Sequence, residues 1–354
     1  MKIGLVGLPG SGKTTLFKLL TGISDDLPLS GMEATTGTAR VPDERIDYLS
    51  KLYKPRKTTY AQIDLVDLPG LNFSEEQKKG KNPFLAAVRN VDALVAVVQV
   101  FAEEAPHVLG AVNPWRDLEM IHTELVFADW EVIEKRLERL GTKKKKENET
   151  ELKLLQRCRE ALEAENRLTS LSFTGEETEL LRGFQFLTLK PLLIVINLDA
   201  EGFKTGFPGR EGFLAGLQEK GLPFLEVSAR IEQEIAELSA DDRELFMEDL
   251  GITEPGIDRL ARTVYRHLHL LSFFTVGEDE VKAWTIKEGT TAKKAAGKIH
   301  SDIERGFIRA EVAAYHDLVT HGNMAKLKEK GLFRLEGKDY LVKDGDIISF
   351  RFNV

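Results

Sequence analysis

Eight residues near the start of the chain, Gly7-Leu8-Pro9-Gly10-Ser11-Gly12-Lys13-Thr14, constrain its fold more than any other stretch. They match the spacing G-x-x-x-x-G-K-[ST] of a phosphate-cradling loop. Before them, Lys2-Ile3-Gly4-Leu5-Val6 reads as a buried strand. After them, Thr15-Leu16-Phe17-Lys18-Leu19-Leu20 reads as a helix start. Glycines let backbone N–H groups turn toward phosphate oxygens, and the helix N-terminus adds partial positive charge. The pattern predicts that Gly7, Pro9, Gly10, Ser11, Gly12, Lys13, Thr14 and Thr15 wrap the phosphates of a nucleoside triphosphate. Lys13 is placed to reach the β- and γ-phosphates, and the Thr14 hydroxyl to ligate Mg²⁺.

A second phosphate motif, Asp67-Leu68-Pro69-Gly70, closes a strand-like run. An aspartate there can hold Mg²⁺ through a water, and the Gly70 amide can bond the γ-phosphate and report its presence. The next residue is Leu71, where Ras-like enzymes carry the glutamine that orients the attacking water. Leucine cannot do this, so intrinsic hydrolysis is expected to be slow.

Base recognition is altered. Guanine-specific switches use N-K-x-D after a buried strand, whereas this chain offers Asn197-Leu198-Asp199-Ala200 followed by Glu201. Without a carboxylate facing the guanine edge, selectivity loses about 1–3 kcal/mol, on the scale of a good bidentate base contact. Asp199 or Glu201 remains within reach of that position by spacing. Ser228-Ala229-Arg230 stands where such folds place a second base-contacting loop.

Strands expected at Ile3–Gly7, Ala61–Asp67 and Ala93–Gln99 alternate with helices and predict a mostly parallel sheet. From Pro114 the character changes. Leu118, Ile121, Leu125, Ala128 and Val132 repeat at helical steps, and Ile133, Leu137 and Leu140 continue after a one-residue slip. A second helical stretch carries Leu152, Leu155 and Leu162, so the two predict an antiparallel hairpin tipped by Lys143–Lys146. The α/β pattern resumes with strands at Pro191–Ile196 and Pro223–Ser228, and helices run to about residue 271. Beyond, strands are expected at Trp284–Ile286, Gly306–Val312, Tyr340–Val342 and Ile347–Phe352, around a helix capped by Thr290 or Thr291.

The net charge of −8 gives no bulk drive toward nucleic acid, and no DNA partner is expected. Cys158 is the single cysteine, which excludes an internal disulfide and fits a reducing cytosol. Met1-Lys2-Ile3 runs straight into the first strand, so no signal peptide is expected. No apolar run approaches a membrane span.

At this point the chain resembles the YchF/Obg-like ATPases, P-loop NTPases associated with translation. The motifs that carry the likeness are GLPGSGKTTLF, VPDERIDYL at Val41–Leu49, DLPGL, NPWRDLEMIHTEL at Asn113–Leu125, SARIEQEIAEL at Ser228–Leu238, and the C-terminal blocks FFTVGEDEVKAWTIKEGTTAKKAAGKIHSDIERGFIRAEV and GKDYLVKDGDIISFRFNV. The resemblance implies an α/β P-loop (Ras-like) domain over 1–115 and 188–271, an inserted α-helical hairpin over 116–187 and an α+β ubiquitin-like (β-grasp) TGS domain over 272–354. It implies a cytoplasmic, monomeric switch that slowly hydrolyses ATP with Mg²⁺ and works on the ribosome, with RNA as a component. A GTPase with relaxed base reading and a nucleotide-holding scaffold are the alternatives.

By the same resemblance, Asn197, Leu198, Ser228, Ala229 and Arg230 contact the base. His107 replaces the missing glutamine. A first-switch threonine, Thr35 or Thr36, completes the Mg²⁺ set of Thr14 and Asp67, with Thr36 preferred. Several residues depart from the family. Gly10 stands where an asparagine tied to potassium-stimulated hydrolysis is common, which removes the basis for expecting potassium dependence. Ala200 replaces the usual glutamate, Asn72–Gly80 replaces a glycine-rich stretch, and the first switch at about Leu27–Gly37 matches poorly. These departures describe a divergent paralogue. In the C-terminal block, 14 Lys/Arg against 13 Asp/Glu over 270–354 give no electrostatic drive toward RNA, so that partner rests on the resemblance.

Overall fold

Parallel pairing organises the sheet that carries the phosphate loop. The computed structural model describes residues 1–23, 34–71, 83–102, 106–141 and 149–353. The expected lysine tip Lys143–Lys146, the stretch Asn72–Gly80 and the 27–33 part of the first switch lie outside the described residues. The strands are β1 (Lys2–Val6), β2 (Thr35–Arg40), β3 (Lys57–Thr59), β4 (Gln62–Asp67), β5 (Ala93–Gln99), β6 (Leu192–Asn197), β7 (Phe224–Val227), β8 (Leu270–Val276), β9 (Glu280–Lys287), β10 (Phe307–Ala314), β11 (Arg334–Glu336) and β12 (Asp346–Phe352). They form two sheets, ordered β2-β4-β1-β5-β6-β7 and β11-β10-β12-β8-β9-β3. The chain divides into two compact units, Met1–Gly37 with Asp64–Ile257, and Thr38–Ile63 with Asp258–Val354.

In the first unit, β4, β1, β5, β6 and β7 pair in parallel. Every residue of β5 and β6 is buried, as expected of a parallel sheet covered on both faces. β1 lies inside this sheet, so the loop that follows it opens at the carboxyl ends of the strands, where α/β folds bind ligands. The inserted helices Pro114–Gly141 and Glu149–Glu163 run antiparallel, tied by Arg136–Glu151 at 2.8 Å and Arg159–Glu134 at 3.5 Å.

The one-residue slip in the first of these helices has a packing cause. Leu118, Ile121, Leu125 and Ala128 join the core beneath the sheet, with Leu94, Val98, Ile194 and Ile196. Ile133 and Leu140 join a separate core with Leu154, Leu155, Cys158 and Leu162. One helix therefore serves two cores on two faces. Asp129, fully buried between them, accepts bonds from the Leu187 and Thr188 amides at 2.9 and 2.7 Å and from the Thr188 hydroxyl at 2.8 Å. Burial raises its carboxyl above the ordinary value, and these donors pull it back down.

In the second unit, Phe273, Ile286, Ala310, Val312 and Ile348 pack against the Ala292–Ile299 helix, whose N-cap is Thr291. Two readings of the C-terminal sequence need correction. Tyr340–Val342 forms no strand: Leu341 makes an isolated bridge to Thr291, and the Ala292 amide donates to the Tyr340 carbonyl at 2.7 Å, so this stretch pairs with the helix start instead. The apolar run from Leu270 is strand β8 rather than a helix tail, because its residues pair one by one with β9, antiparallel, from Leu270↔Lys287 to Val276↔Val281. Residues Thr38–Ile63 group with the C-terminal block. β3 pairs in parallel with β9, and the Glu44–Tyr53 helix buries Ile46 and Leu49.

Candidate nucleotide site

Three glycines of the phosphate loop adopt positive φ: Gly7 at 156°, Gly10 at 82° and Gly12 at 93°. Two of them also have no room for a side chain. A Cβ on Gly7 would lie 2.5 Å from the Val97 carbonyl, and one on Gly12 would lie 2.2 Å from the Asn197 amide nitrogen. The loop passes at Gly12 into the Lys13–Thr21 helix, whose N-cap makes no side-chain bond and whose first turn holds no acid. A helix start without a cap leaves N–H donors that an anion satisfies.

Lys13 is buried, and its ammonium donates to the Gly7 and Leu8 carbonyls at 3.1 and 2.8 Å. Burial lowers it to about 8, opposed by the nearby Asp67 carboxylate. A phosphate arriving here would meet a cation already stripped of water. Thr14 Oγ1 donates to Asp67 Oδ2 at 2.7 Å, while Asp67 Oδ1 is buried without a hydrogen-bond partner. A hydroxyl and a carboxylate with one unmet buried oxygen form a hard oxygen donor set that fits Mg²⁺.

The Asp67-x-x-Gly70 turn lies directly on the phosphate loop. A Cβ on Gly70 would lie 3.1 Å from Pro9 Cγ, and the Leu71 amide donates to the Gly7 carbonyl at 3.2 Å. Leu71 is itself buried with Leu8, Leu68 and Phe84. It anchors the turn to the core.

Asn197 closes the site from the other side. Its amide donates to the Ser11 carbonyl at 3.0 Å, and its carbonyl accepts from the Ala229 amide at 3.0 Å. Ser228 caps the Ala229–Glu237 helix through the Ile231 amide. Arg230 is exposed and pairs with Glu234 at 3.0 Å. Leu198 packs into the core beneath the sheet, so its side chain contributes packing there. Asp199 is committed as the cap of the Ala200–Thr205 helix, accepting from the Gly202 amide at 2.7 Å.

His107 is buried, with both ring nitrogens engaged. Nε2 lies 2.7 Å from Asp117 Oδ2, and Nδ1 accepts from the Leu109 amide at 3.1 Å. Because Nδ1 accepts, the ring proton lies on Nε2 and is donated to Asp117. Arg116 pairs with the same carboxylate at 2.7 Å. The expected water-orienting role of His107 therefore finds no unoccupied ring nitrogen in this arrangement. Thr36 is exposed on β2, and Thr35 is half-buried on the opposite face.

Comparison with known proteins bears on this site. Residues 2–156 match the family described as "50S ribosome-binding GTPase", and residues 270–353 match a YchF C-terminal family described as "Protein of unknown function (DUF933)". The "Ribosome-binding ATPase YchF" of Bacillus subtilis (strain 168) is 41% identical over 99% of this chain and 99% of its own. That of Escherichia coli O157:H7 is 40% identical over 100% of this chain and 99% of its own. The chain belongs to the YchF family. The solved structure of the Schizosaccharomyces pombe YchF GTPase covers 99% of it with a TM-score of 0.86 at 28% identity.

YchF membership carries the P-loop α/β domain and the nucleotide-binding switch class with it. The molecule also shows two partners of His107 that the sequence motifs do not reveal. Asp117 and Arg116 hold His107, and both lie in the first turn of the helix that opens at Asn113-Pro114. An acidic residue in a first turn is ordinarily read as support for the helix dipole. Here the pairing across ten residues emerges only from the turn His107–Gly110.

Proposed function

We propose that this YchF-family chain is a cytoplasmic, Mg²⁺-dependent switch that binds ATP, hydrolyses it slowly and acts on the ribosome. The observation that carries the reading is the uncapped Lys13–Thr21 helix start, facing a desolvated Lys13 and the Thr14–Asp67 pair with its unmet oxygen. Lys13 and the first-turn amides hold the β- and γ-phosphates, and the Gly70 amide meets the γ-phosphate. Thr14 and Asp67, joined by a β2 threonine (Thr36 in the sequence register), would hold Mg²⁺, which would neutralise charge building on the phosphoryl oxygens. Water attacks the γ-phosphorus in line as its bond to the β–γ bridging oxygen breaks, giving ADP, phosphate and a proton.

ATP is favoured over GTP because the residues near the base position offer guanine no committed carboxylate. Asp199 is spent as a cap, Ala200 has none to offer, and Glu201 is exposed in the first turn of the Ala200–Thr205 helix. The ribosome, with its RNA, enters as partner because near-full-length relatives carry that name. Among the described residues no helix is long and apolar enough to cross a membrane.

One observation favours a second reading, a nucleotide-holding scaffold with negligible turnover. Leu71 is buried, and both His107 nitrogens are occupied, so neither is set to orient a water. Competition of ATP and GTP for a fluorescent nucleotide, followed by single-turnover hydrolysis, tests both. ATP preference with measurable phosphate release supports the switch, and binding without release supports the scaffold. Tighter GTP binding would overturn the ATP assignment.

A further inference from the structure

The segment Thr38–Ile63 is joined at both ends to strands of the sheet that carries the phosphate loop. It follows Thr35–Gly37 of β2 and precedes Asp64–Asp67 of β4, which ends at the proposed Mg²⁺ ligand. Its body belongs to the C-terminal unit. Arg56 and Lys57 amides donate to the Glu278 and Asp279 carbonyls at 3.0 Å, and Thr59 Oγ1 donates to Glu280 at 2.5 Å. Tyr48 meets Tyr315 edge-on at 5.7 Å.

Arg45 makes the tightest tie. Its Nε donates to Asp43 at 2.9 Å, and Nη1 and Nη2 donate to the two oxygens of Asp344 at 2.7 and 3.2 Å. The guanidinium also lies 5.2 Å from the Phe274 ring centroid. Asp344 in turn accepts from the Ser272 amide at 2.9 Å, which links the fork to β8. The companion ion pair Arg56–Asp279 is almost fully exposed, at 86% and 87%, and contributes little.

The neck of the segment is closed as well. The Val41 amide donates to the Ala61 carbonyl at 2.8 Å, the Arg40 guanidinium lies 3.2 Å over the Tyr60 ring, and the Tyr60 hydroxyl bonds Asp47. A segment pinned at its neck and clamped at its body has little slack. The two covalent ends of this body run into β2 and β4 of the nucleotide sheet.

We infer that Arg45 is a positioning residue for the nucleotide switch: its fork to Asp43 and Asp344 couples the strands that carry Thr36 and Asp67 to the C-terminal unit. The inference rests on the nucleotide-switch reading. By linkage, a ligand held by the C-terminal unit then changes nucleotide affinity by the same factor that nucleotide changes its own. Arginine suits the role because its planar fork meets two carboxylates with fixed geometry, which lysine cannot reproduce.

The test compares the full-length chain with Arg45→Met, Arg45→Lys and Asp344→Asn. Hydrogen exchange is followed with Mg²⁺ and either ADP or a non-hydrolysable ATP analogue. In the wild type, the triphosphate should change exchange in the Lys13–Thr21 helix, the Glu44–Tyr53 helix, β8 and β12. In Arg45→Met and Asp344→Asn, the change should persist at Lys13–Thr21 but shrink about fivefold or more in β8 and β12, with ATP-over-ADP preference shifted by a similar factor. Arg45→Lys should fall between.

Folded variants that keep the wild-type response in β8 and β12 overturn the inference. Should Arg45→Met fail to fold, Asp344→Asn decides alone. A wild type that responds at Lys13–Thr21 and not in β8 or β12 overturns the coupling and leaves the nucleotide reading standing. No response at Lys13–Thr21 takes down both.

Discussion

Replacing Asn197 with alanine strips the nucleotide site of its clamp without altering a single phosphate-loop residue. In the native chain the side chain bridges the Ser11 carbonyl and the Ala229 amide, each at 3.0 Å, and it is buried. The approach is so close that no residue with a Cβ fits at Gly12. Alanine leaves one buried acceptor and one buried donor unmet, at about 1–3 kcal/mol each. Local relaxation and water entry recover part of this, so about 3 kcal/mol is expected, equivalent to roughly 100-fold in an opening equilibrium. Amide exchange at Ala229 reads that number directly, and it should accelerate by about two decades. ATP affinity should fall by about tenfold, because the loop must be reordered around the phosphates at a cost of about 1.4 kcal/mol. Asn197→Asp separates the two arms. It keeps an acceptor for Ala229 but sets a carboxylate against the Ser11 carbonyl, so Ala229 stays protected while affinity drops. Exchange and affinity both within about twofold of wild type in Asn197→Ala would refute the clamp, since the two unmet groups alone predict more.

The other outcomes concern Lys13, the base position and the His107 turn. ATP affinity should be flat below pH 8 and then fall toward tenfold per pH unit, because a polyanion favours charged Lys13, which burial holds to about 8. Lys13→Arg, if it binds, should show no such break, since a guanidinium does not titrate there. The stability of the nucleotide-free protein runs the other way: the folded value lies below the unfolded 10.5, so the unfolded chain binds the extra proton and this group adds stability as pH rises from about 8. Ala200→Asp should restore a guanine acceptor and raise the GTP:ATP affinity ratio about tenfold, measured by competition. His107→Ala and Asp117→Asn should each lower the thermal midpoint by loosening the His107–Gly110 turn, with hydrolysis changed by less than about threefold. A loss near 100-fold at unchanged KM would instead make His107 the group that orients water.

Sequence was most legible where function is written in local geometry. The phosphate loop needs glycines at fixed offsets because Gly7 and Gly12 face a carbonyl and an amide too closely for any Cβ, and such constraints leave a spacing in the chain. The helix Pro114–Gly141 was legible for a related reason: its change of partner from one core to another forces a slip in the apolar repeat. The base side was only half legible. Asn197 could be found by its motif, but the fate of Asp199 turned on a cap to Gly202, and spacing alone left it within reach of a base. Least legible was the placement of Thr38–Ile63. β3 is three residues long and pairs with β9 across more than two hundred residues, at Lys57↔Glu280, and Arg45 reaches Asp344 across 299 positions. No periodicity records such partners, because each side looks locally like an ordinary helix turn or a short polar strand. The chemistry of an NTP site is compressed into contiguous motifs, whereas whatever tells the rest of the molecule which nucleotide is bound must span the chain.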